Sequence, residues 1–344
     1  MPIARIAALA AAIPKEQVNI MDLGFDAQTT LRTVKLTGAH TLRYAPKERT
    51  ASDYCLRAAR EIFDRMEVSP ADVDGIIFST PHPDYTHPGN CSVIQSALGI
   101  PKRCIALDTR HACTGMIYGL YLADLLVRAG DCKNVLVCCG DTSSHHLNPK
   151  DRAMRMVIGD GGAAALVTGS GRTASQYVFR HDGDGLKYLY TPASGERMPR
   201  TPGVTDVETI DAEENVRTLE DQYMDGMEVM RFVMNEVPPL IGEVLEKGGR
   251  THADVDIYAL HQANAFILKS LTRAMKLDKN KVPTAFDGTG NIGGASLVLA
   301  LCHAAQTAHD PWEYAVLAAF GSGLSGAAMT ANLAETRILR TVEL

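Results

Sequence analysis

Residues 71–80 read Ala71-Asp72-Val73-Asp74-Gly75-Ile76-Ile77-Phe78-Ser79-Thr80, and residues 253–261 read Ala253-Asp254-Val255-Asp256-Ile257-Tyr258-Ala259-Leu260-His261. Both stretches place the same four residues before a short apolar run. A second pair of apolar runs follows at 134–140 and 314–321, after nearly equal intervals. The equal spacing predicts two related halves. The alternative is chance, because this lead-in is a common connection between a helix and a strand.

The pattern of apolar residues predicts the fold class. Short apolar runs bounded by turns are typical of strands that are buried on both faces. Helical patterns lie between them at 52–66, 114–129 and 295–305. Strands that alternate with helices indicate an α/β fold. Two such halves packed together predict a five-layer α-β-α-β-α duplicated sandwich.

The same pattern suggests the domain boundaries. Residues 1–170 form the first predicted half, and residues 223–344 form the second. The polar segment 171–222 contains Pro192, Pro199 and Pro202. Because proline interrupts both helices and sheets, we expect this segment to be a loop-rich connection.

Composition excludes several classes of protein. The 344 residues are 46% hydrophobic and 22% charged, with a formal net charge of −6, so neither disorder nor nucleic-acid binding is expected. No apolar run approaches the ~18 residues of a membrane span. The N-terminal stretch MPIARIAALAAAIP predicts a first strand, with a signal peptide as the alternative. Eight cysteines without a CxxC or zinc spacing favour a reducing cytoplasm and no metal.

Cys113 is the candidate nucleophile. A predicted strand at 104–107 ends just before it, and a predicted helix begins close to it. A helix N-terminus presents free N–H groups and a positive potential, which favour a thiolate. The alternative is an inert buried cysteine, which is the common state of such residues.

Two further stretches contain groups that suit acyl chemistry. His261 follows a predicted strand directly, where α/β sheets bind ligands, although a structural histidine is the alternative. Asn291 lies in the glycine-rich loop 287–296, which the repeat places opposite Cys113; a turn that starts a helix is the alternative. The glycine-rich stretch 319–326 could offer backbone N–H groups to an oxyanion.

Together these groups fit one kind of chemistry. A thiolate accepts an acyl group from a thioester, and a second substrate then attacks the acyl-enzyme. If that second substrate is a carbanion, a neutral histidine and an asparagine amide can stabilise its enolate form by donating hydrogen bonds. His145 and His146 could suggest a metal, but adjacent side chains in a strand point apart, so we expect none.

At these residues the sequence resembles the beta-ketoacyl-ACP synthase III family, bacterial condensing enzymes with the thiolase fold. The matching motifs are HACTG at 111–115, HQAN at 261–264, GNIGGAS at 290–296, FGSG at 320–323, IQSALG at 94–99, IGDGGAA at 158–164 and the pair Asp151-Arg152. The resemblance implies a thiolase-like sandwich.

The resemblance also implies roles for individual residues. Cys113 would take an acyl group from acyl-CoA, and the backbone N–H groups of Cys113 and Ser322 would form the oxyanion hole. His261 and Asn291 would support decarboxylation of malonyl-ACP or malonyl-CoA. Coenzyme A thioesters would be substrates, with no separate cofactor. The family forms homodimers, in which the loop at 85–88 would shape the partner's acyl pocket.

Several positions depart from the family's usual residues. Arg32 replaces a tryptophan that stacks on coenzyme A, and Leu36, beside Lys35, replaces an arginine. Phe266 replaces a basic residue that docks acyl carrier protein. His87 and His111 are unusual near the acyl pocket, and we expect both to line it. For coenzyme A we expect contacts from Arg152, Asn264, Arg32 and Lys35.

These departures predict a specialised member, with a different starter or extender. Transfer of the acyl group to an oxygen, nitrogen or non-malonyl carbon nucleophile is the alternative, as is a subunit of a heterodimeric condensing enzyme. A degradative thiolase is disfavoured because no cysteine follows Cys302. A hydroxymethylglutaryl-CoA synthase relative is disfavoured because residues 81–90 contain no glutamate.

Overall fold

The computed structural model describes residues 1–307 and 310–344. The helices are α1 (Ala27–Thr37), α2 (Ala51–Arg65), α3 (Cys91–Leu98), α4 (Gly115–Ala129), α5 (Arg152–Arg155), α6 (Gly226–Lys247), α7 (Ala265–Ala274) and α8 (Ser296–Ala304). The strands are β1 (Arg5–Ile13), β2 (Gln17–Asn19), β3 (Thr41–Arg43), β4 (Gly75–Ser79), β5 (Ile105–Thr109), β6 (Asn134–Asp141), β7 (Gly161–Thr168), β8 (Tyr177–His181), β9 (Leu189–Tyr190), β10 (Thr209–Ile210), β11 (Val216–Arg217), β12 (Tyr223–Met224), β13 (Ile257–Leu260), β14 (Ala315–Gly321), β15 (Ser325–Ala331), β16 (Arg337–Ile338) and β17 (Val342–Glu343).

Two sheets repeat one pattern of strand pairing. The first sheet has the order β16-β1-β7-β6-β4-β5, with β17 also paired to β1. The second has the order β13-β14-β15-β8. In the first, β4 runs parallel to β6, whereas β7 is antiparallel to both β6 and β1. In the second, β13 runs parallel to β14, whereas β15 is antiparallel to both β14 and β8. The four strands of the second sheet therefore match β4, β6, β7 and β1 in order and direction, whereas β5, β16 and β17 belong to the first sheet alone.

The repeated lead-in has the same local structure in both halves. Residues 70–72 and 252–254 each form a 3-10 turn closed by a capping box, in which Asp72 bonds back to Ser69 and Asp254 to Thr251. Such boxes satisfy the free N–H groups at the start of a turn. The next aspartate then accepts a backbone N–H from the neighbouring segment, as Asp256 does from Tyr314 at 2.8 Å. The duplication read from the sequence is present in the backbone.

Apolar side chains fill the spaces between five layers. Helices α4 and α8 lie between the two sheets, and their residues share one core cluster with the inner faces of both. Helices α2 and α3 cover the outer face of the first sheet. Helices α6 and α7 cover the outer face of the second. The predicted five-layer sandwich is confirmed.

Two segments cross the predicted domain boundaries. Strand β8 lies within the segment 171–222, yet it pairs with β15 in the second sheet. Strands β16 and β17 belong to the last part of the chain, yet they pair with β1 in the first sheet. The boundaries at 170 and 222 stay a prediction. The structure adds that β8 belongs to the second sheet and that β16 and β17 belong to the first.

Candidate active site

Cys113 lies in the turn between β5 and α4, two residues before the first helical residue, Gly115. This is the strand-to-helix junction that the sequence predicts. Burial raises the pKa of the Cys113 thiol to about 12, and the nearby Asp141 carboxylate adds to the rise. The backbone N–H groups of Ser322 and of Cys113 itself act in the opposite direction on this pKa. The resting group is therefore the thiol, and two N–H donors already face its sulfur.

Gly321 allows the second half to approach the nucleophile. A Cβ atom at this position would lie 2.5 Å from the sulfur of Cys113, which is well inside van der Waals contact. Gly321 ends β14, so the turn that carries Ser322 comes against Cys113 only because no side chain intervenes. A second close approach occurs at Gly294, where a Cβ would lie 2.7 Å from the carbonyl oxygen of Ala112.

His261 directly follows β13 and is 1% exposed. Burial lowers its pKa to about 4, because a charged imidazolium would lose its hydration. The ring is neutral at pH 7 and packs edge-on against Phe320, with ring centroids 5.3 Å apart. Its Nδ1 lies 2.8 Å from the hydroxyl oxygen of Ser296. A backbone hydrogen bond with Gly293 acts in the opposite direction on the pKa of this ring.

Asn291 is held at both its backbone and its side chain. Its N–H donates to the carbonyl of Val157 at 2.9 Å, and its carbonyl accepts the N–H of Gly159 at 3.0 Å. Its side-chain Oδ1 accepts the N–H of Gly293 at 3.0 Å. With the oxygen engaged, the amide NH₂ group is the part that remains to donate.

Cys113, His261 and Asn291 line the same cavity, whose volume is about 110 Å³. Most other lining side chains are apolar; they include Val157, Ile158, Leu189, Met224, Val229, Ile267 and Phe320. We call this cavity the catalytic channel. The three predicted catalytic residues are thus brought together by one narrow apolar space.

A second cavity, of about 510 Å³, lies beside Cys113. Ala112 and Ser322, which flank the sulfur of Cys113, both line it, and Leu189 lines both this cavity and the catalytic channel. We call it the side pocket. Its other lining residues are mostly polar: His82, Thr86, Arg110, His146, Thr191, Ser194, Arg200, Glu220 and Gln222.

The sequence interpretation missed the histidines of the side pocket. His82 and His146 stack with ring centroids 3.9 Å apart, and Nδ1 of His82 lies 2.9 Å from Asp141. His146 does not lie in the strand predicted for it, because Ser143–His146 is a 3-10 turn. Their position in the chain could have revealed these histidines. Strands β4, β5 and β6 are parallel neighbours, so the residues that follow them meet at one edge of the sheet.

The four residues predicted to contact coenzyme A lie on, or directly before, three different helices. Arg152 starts α5 and is 3.4 Å from Glu214, so it is engaged within the chain. Asn264 caps α7 by accepting the N–H of Ile267, and it also lines the catalytic channel. Arg32 and Lys35 lie exposed on α1. As contacts of coenzyme A all four stay predictions.

The two residues predicted for the acyl pocket line neither cavity of the single chain. His87 is exposed beside a cis bond to Pro88. His111 stacks on Tyr118, with ring centroids 3.8 Å apart, and burial lowers its pKa. Their roles at an acyl pocket stay predictions.

Within residues 1–307 and 310–344, no group of three histidine, cysteine or acidic side chains could hold a metal ion. Among those same residues, no helix has both the length and the apolar character to cross a membrane.

The duplicated sandwich, with a cysteine, a histidine and an asparagine on one channel, defines a condensing enzyme of the thiolase fold. Models of the 3-oxoacyl-[acyl-carrier-protein] synthase III family match residues 107–183 and, for the C-terminal domain, residues 245–333. A beta-ketoacyl-[acyl-carrier-protein] synthase III from Caldanaerobacter subterraneus is 35% identical over 85% of this chain and 86% of its own. The protein belongs to the beta-ketoacyl-[acyl-carrier-protein] synthase III family and is an acyltransferase, as the motifs predict.

Solved structures agree with this assignment. A 3-oxoacyl-(acyl-carrier protein) synthase from Burkholderia xenovorans superposes with a TM-score of 0.91 at 29% identity, covering 99% of this chain and 97% of its own. The priming beta-ketosynthase of the R1128 polyketide pathway superposes with a TM-score of 0.85 at 25% identity, covering 96% of each chain. The predicted thiolase-like fold is confirmed.

Proposed function

We propose that the protein transfers an acyl group from acyl-CoA to Cys113 and then condenses it with a malonyl thioester. In the first step the sulfur of Cys113 bonds to the acyl carbon and coenzyme A leaves with the thiol proton. The N–H groups of Cys113 and Ser322 stabilise the oxyanion that forms in between. Both donors face the sulfur before substrate binds, so little reorganisation is needed at the moment of reaction.

In the second step the malonyl thioester loses carbon dioxide and becomes an enolate. Nε2–H of His261 and the amide of Asn291 donate to the enolate oxygen. The enolate carbon then bonds to the acyl carbon, the bond to sulfur breaks, and Cys113 regains a proton. The product is a beta-ketoacyl thioester.

One observation carries this proposal. The side-chain oxygen of Asn291 is occupied by the N–H of Gly293, and burial keeps His261 neutral. Each residue can therefore donate an N–H group to the channel that contains Cys113, and neither residue brings a charge. Two neutral donors suit an enolate, which needs stabilisation without being protonated at once.

The substrates and partners belong to the same proposal. The acyl donor is a coenzyme A thioester, and the malonyl group arrives on acyl carrier protein or on coenzyme A, with no separate cofactor. The proposed partner is a second copy of the chain. Strand β5 supports this, because it forms the edge of the first sheet and exposes its central residues, Leu107 being 38% exposed. A cytoplasmic location stays a prediction.

Acylation of the intact protein by a panel of acyl-CoAs tests the first step. Peptide mass should place one acyl group on Cys113, and Cys113→Ala should abolish it. Cys104→Ala is the matched control, because Cys104 is the other cysteine that is partly exposed. Acylation that persists in Cys113→Ala would refute the proposed nucleophile. Release of carbon dioxide from malonyl-CoA or malonyl-ACP tests the second step.

A further inference from the structure

The side pocket adjoins Cys113 and is the space that we consider for the acyl group of its thioester. Ala112 precedes the nucleophile, Ser322 supplies an N–H to its sulfur, and both line this pocket. The catalytic channel, on the other side of Leu189, contains His261 and Asn291. A donor that enters through the channel would reach the side pocket if its acyl tail extends past Cys113 and Leu189.

The walls of the side pocket are unsuited to an alkyl tail. The stacked rings of His82 and His146 form one wall. The side-chain oxygen of Gln222 is buried without a hydrogen-bond partner among the described residues. An alkyl chain would displace water from these groups without forming hydrogen bonds to them. A buried polar atom without a hydrogen bond is unfavourable.

Among the basic side chains that line the pocket, Arg110 has no acidic partner in the described residues. His82 pairs with Asp141 at 2.9 Å, and Arg200 pairs with Glu220 at 3.2 Å. Arg110 donates to the carbonyl of Pro81 at 3.1 Å. Over the described ranges 1–307 and 310–344, Arg110 forms no ion pair, and its exposed side chain lines the pocket.

We infer that the side pocket selects an acyl group that ends in a carboxylate, so that the preferred donor is a dicarboxylic acyl thioester. This inference rests on the proposed acylation of Cys113. Arg110 supplies the counter-charge for the carboxylate, and its planar guanidinium suits bidentate pairing. Burial lowers the pKa of His146 to about 4, so its neutral ring can donate one further hydrogen bond without adding charge. Gln222 can donate through its amide NH₂ group, whereas its unpartnered oxygen can only accept.

Succinyl-CoA and butyryl-CoA provide a matched pair of donors, because their acyl chains have the same number of carbons. Initial rates of Cys113 acylation are measured by peptide mass on the full-length protein. We expect succinyl-CoA to react at least ~100-fold faster, as is typical where polar groups of a site would otherwise stay unpaired. Arg110→Ala should reduce the succinyl rate by at least ~10-fold and leave the butyryl rate within about twofold.

Two further variants sharpen the test. Gln222→Leu should raise the butyryl rate and lower the succinyl rate, because it replaces the unpartnered amide with an apolar side chain. Arg103→Ala is the control, since Arg103 is an exposed arginine that lines neither cavity, and it should change neither rate. Equal rates for the two donors, or a faster butyryl rate, in the unmodified protein would overturn the inference while leaving the proposed function intact. No acylation of Cys113 by any acyl-CoA would overturn the proposed donor step and this inference with it.

Discussion

Nδ1 of His261 lies 2.8 Å from the hydroxyl oxygen of Ser296, and the same oxygen accepts the backbone N–H of Gln262 at 3.1 Å. Because the N–H of Gln262 already donates to this oxygen, the hydroxyl proton of Ser296 is available to Nδ1. When that hydroxyl donates to Nδ1, the ring proton lies on Nε2. Ser296 is therefore proposed as a positioning residue that fixes which nitrogen of His261 donates.

Replacing Ser296 tests this arrangement. Ser296→Ala should lower kcat for decarboxylation of the malonyl thioester about tenfold, equivalent to about 1.4 kcal/mol, because His261 loses its fixed tautomer. KM for the malonyl thioester should stay within about twofold, since the residue does not contact substrate. Ser92→Ala, on the exposed face of α3, serves as control. A rise in KM with unchanged kcat would contradict the positioning role.

The depressed pKa of His261 predicts how stability depends on pH. The value falls from 6.5 to about 4 on folding, so between these values the unfolded chain binds more protons than the native one. Its contribution is therefore fully present above pH 6.5 and is lost as the pH falls towards 4. Urea unfolding should show that the His261→Asn variant loses about 2 kcal/mol less than the unmodified protein between pH 7 and pH 5. Equal losses would show that His261 is not buried in its neutral form.

Gly321 should tolerate no side chain. Gly321→Ala places a Cβ against the sulfur of Cys113, at 2.5 Å in the present geometry, so the oxyanion turn must move away. We expect acylation of Cys113 to fall at least ~100-fold, as for loss of an oxyanion donor. Gly242→Ala is the matched control, because it lies within α6 and a Cβ there meets no atom within 4 Å. That control should keep its activity.

Asn291→Asp separates the two chemical steps. The carboxylate still accepts the N–H of Gly293, but it presents an oxygen where the amide donor stood. Release of carbon dioxide from the malonyl thioester should fall by about 10² to 10³, while acylation of Cys113 continues. Asn280→Asp, an exposed residue outside the cavity, should behave as the unmodified protein. Unchanged decarboxylation in Asn291→Asp would remove this residue from the enolate site.

The exposed edge of β5 should be an interface between two copies of the chain. Leu107→Lys places a charge on that edge, and charged residues discourage edge-to-edge pairing. Sedimentation should show a dimer for the unmodified protein and a monomer for the variant. Leu31→Lys, which changes an exposed leucine of α1, should remain dimeric. A monomer at all concentrations before mutation would refute the proposed dimer.

Local sequence was sufficient for the features that depend on neighbouring residues. The junction before Cys113, the strand before His261 and the glycine loop around Asn291 could each be read from a few positions. Strand β8 was missed because Tyr177–His181 is short and mixed in polarity, and only pairing with β15 makes it a strand. The contact of His261 with Ser296 joins the end of β13 to the start of α8, and no spacing rule predicts it. The side pocket was missed for the same reason, since its walls come from several separate loops.

The segment that carries Tyr190, Arg200, Glu220 and Gln222 forms much of the side pocket, yet these residues belong to neither large sheet. If this pocket selects the donor, substitutions there should change which donor fits without removing an atom from the apolar core. The residues proposed to perform the reaction, by contrast, are fixed by buried strands and glycine contacts. Selection for a new starter unit, in nature or in a mutant library, can therefore act on this segment while the reaction itself is preserved.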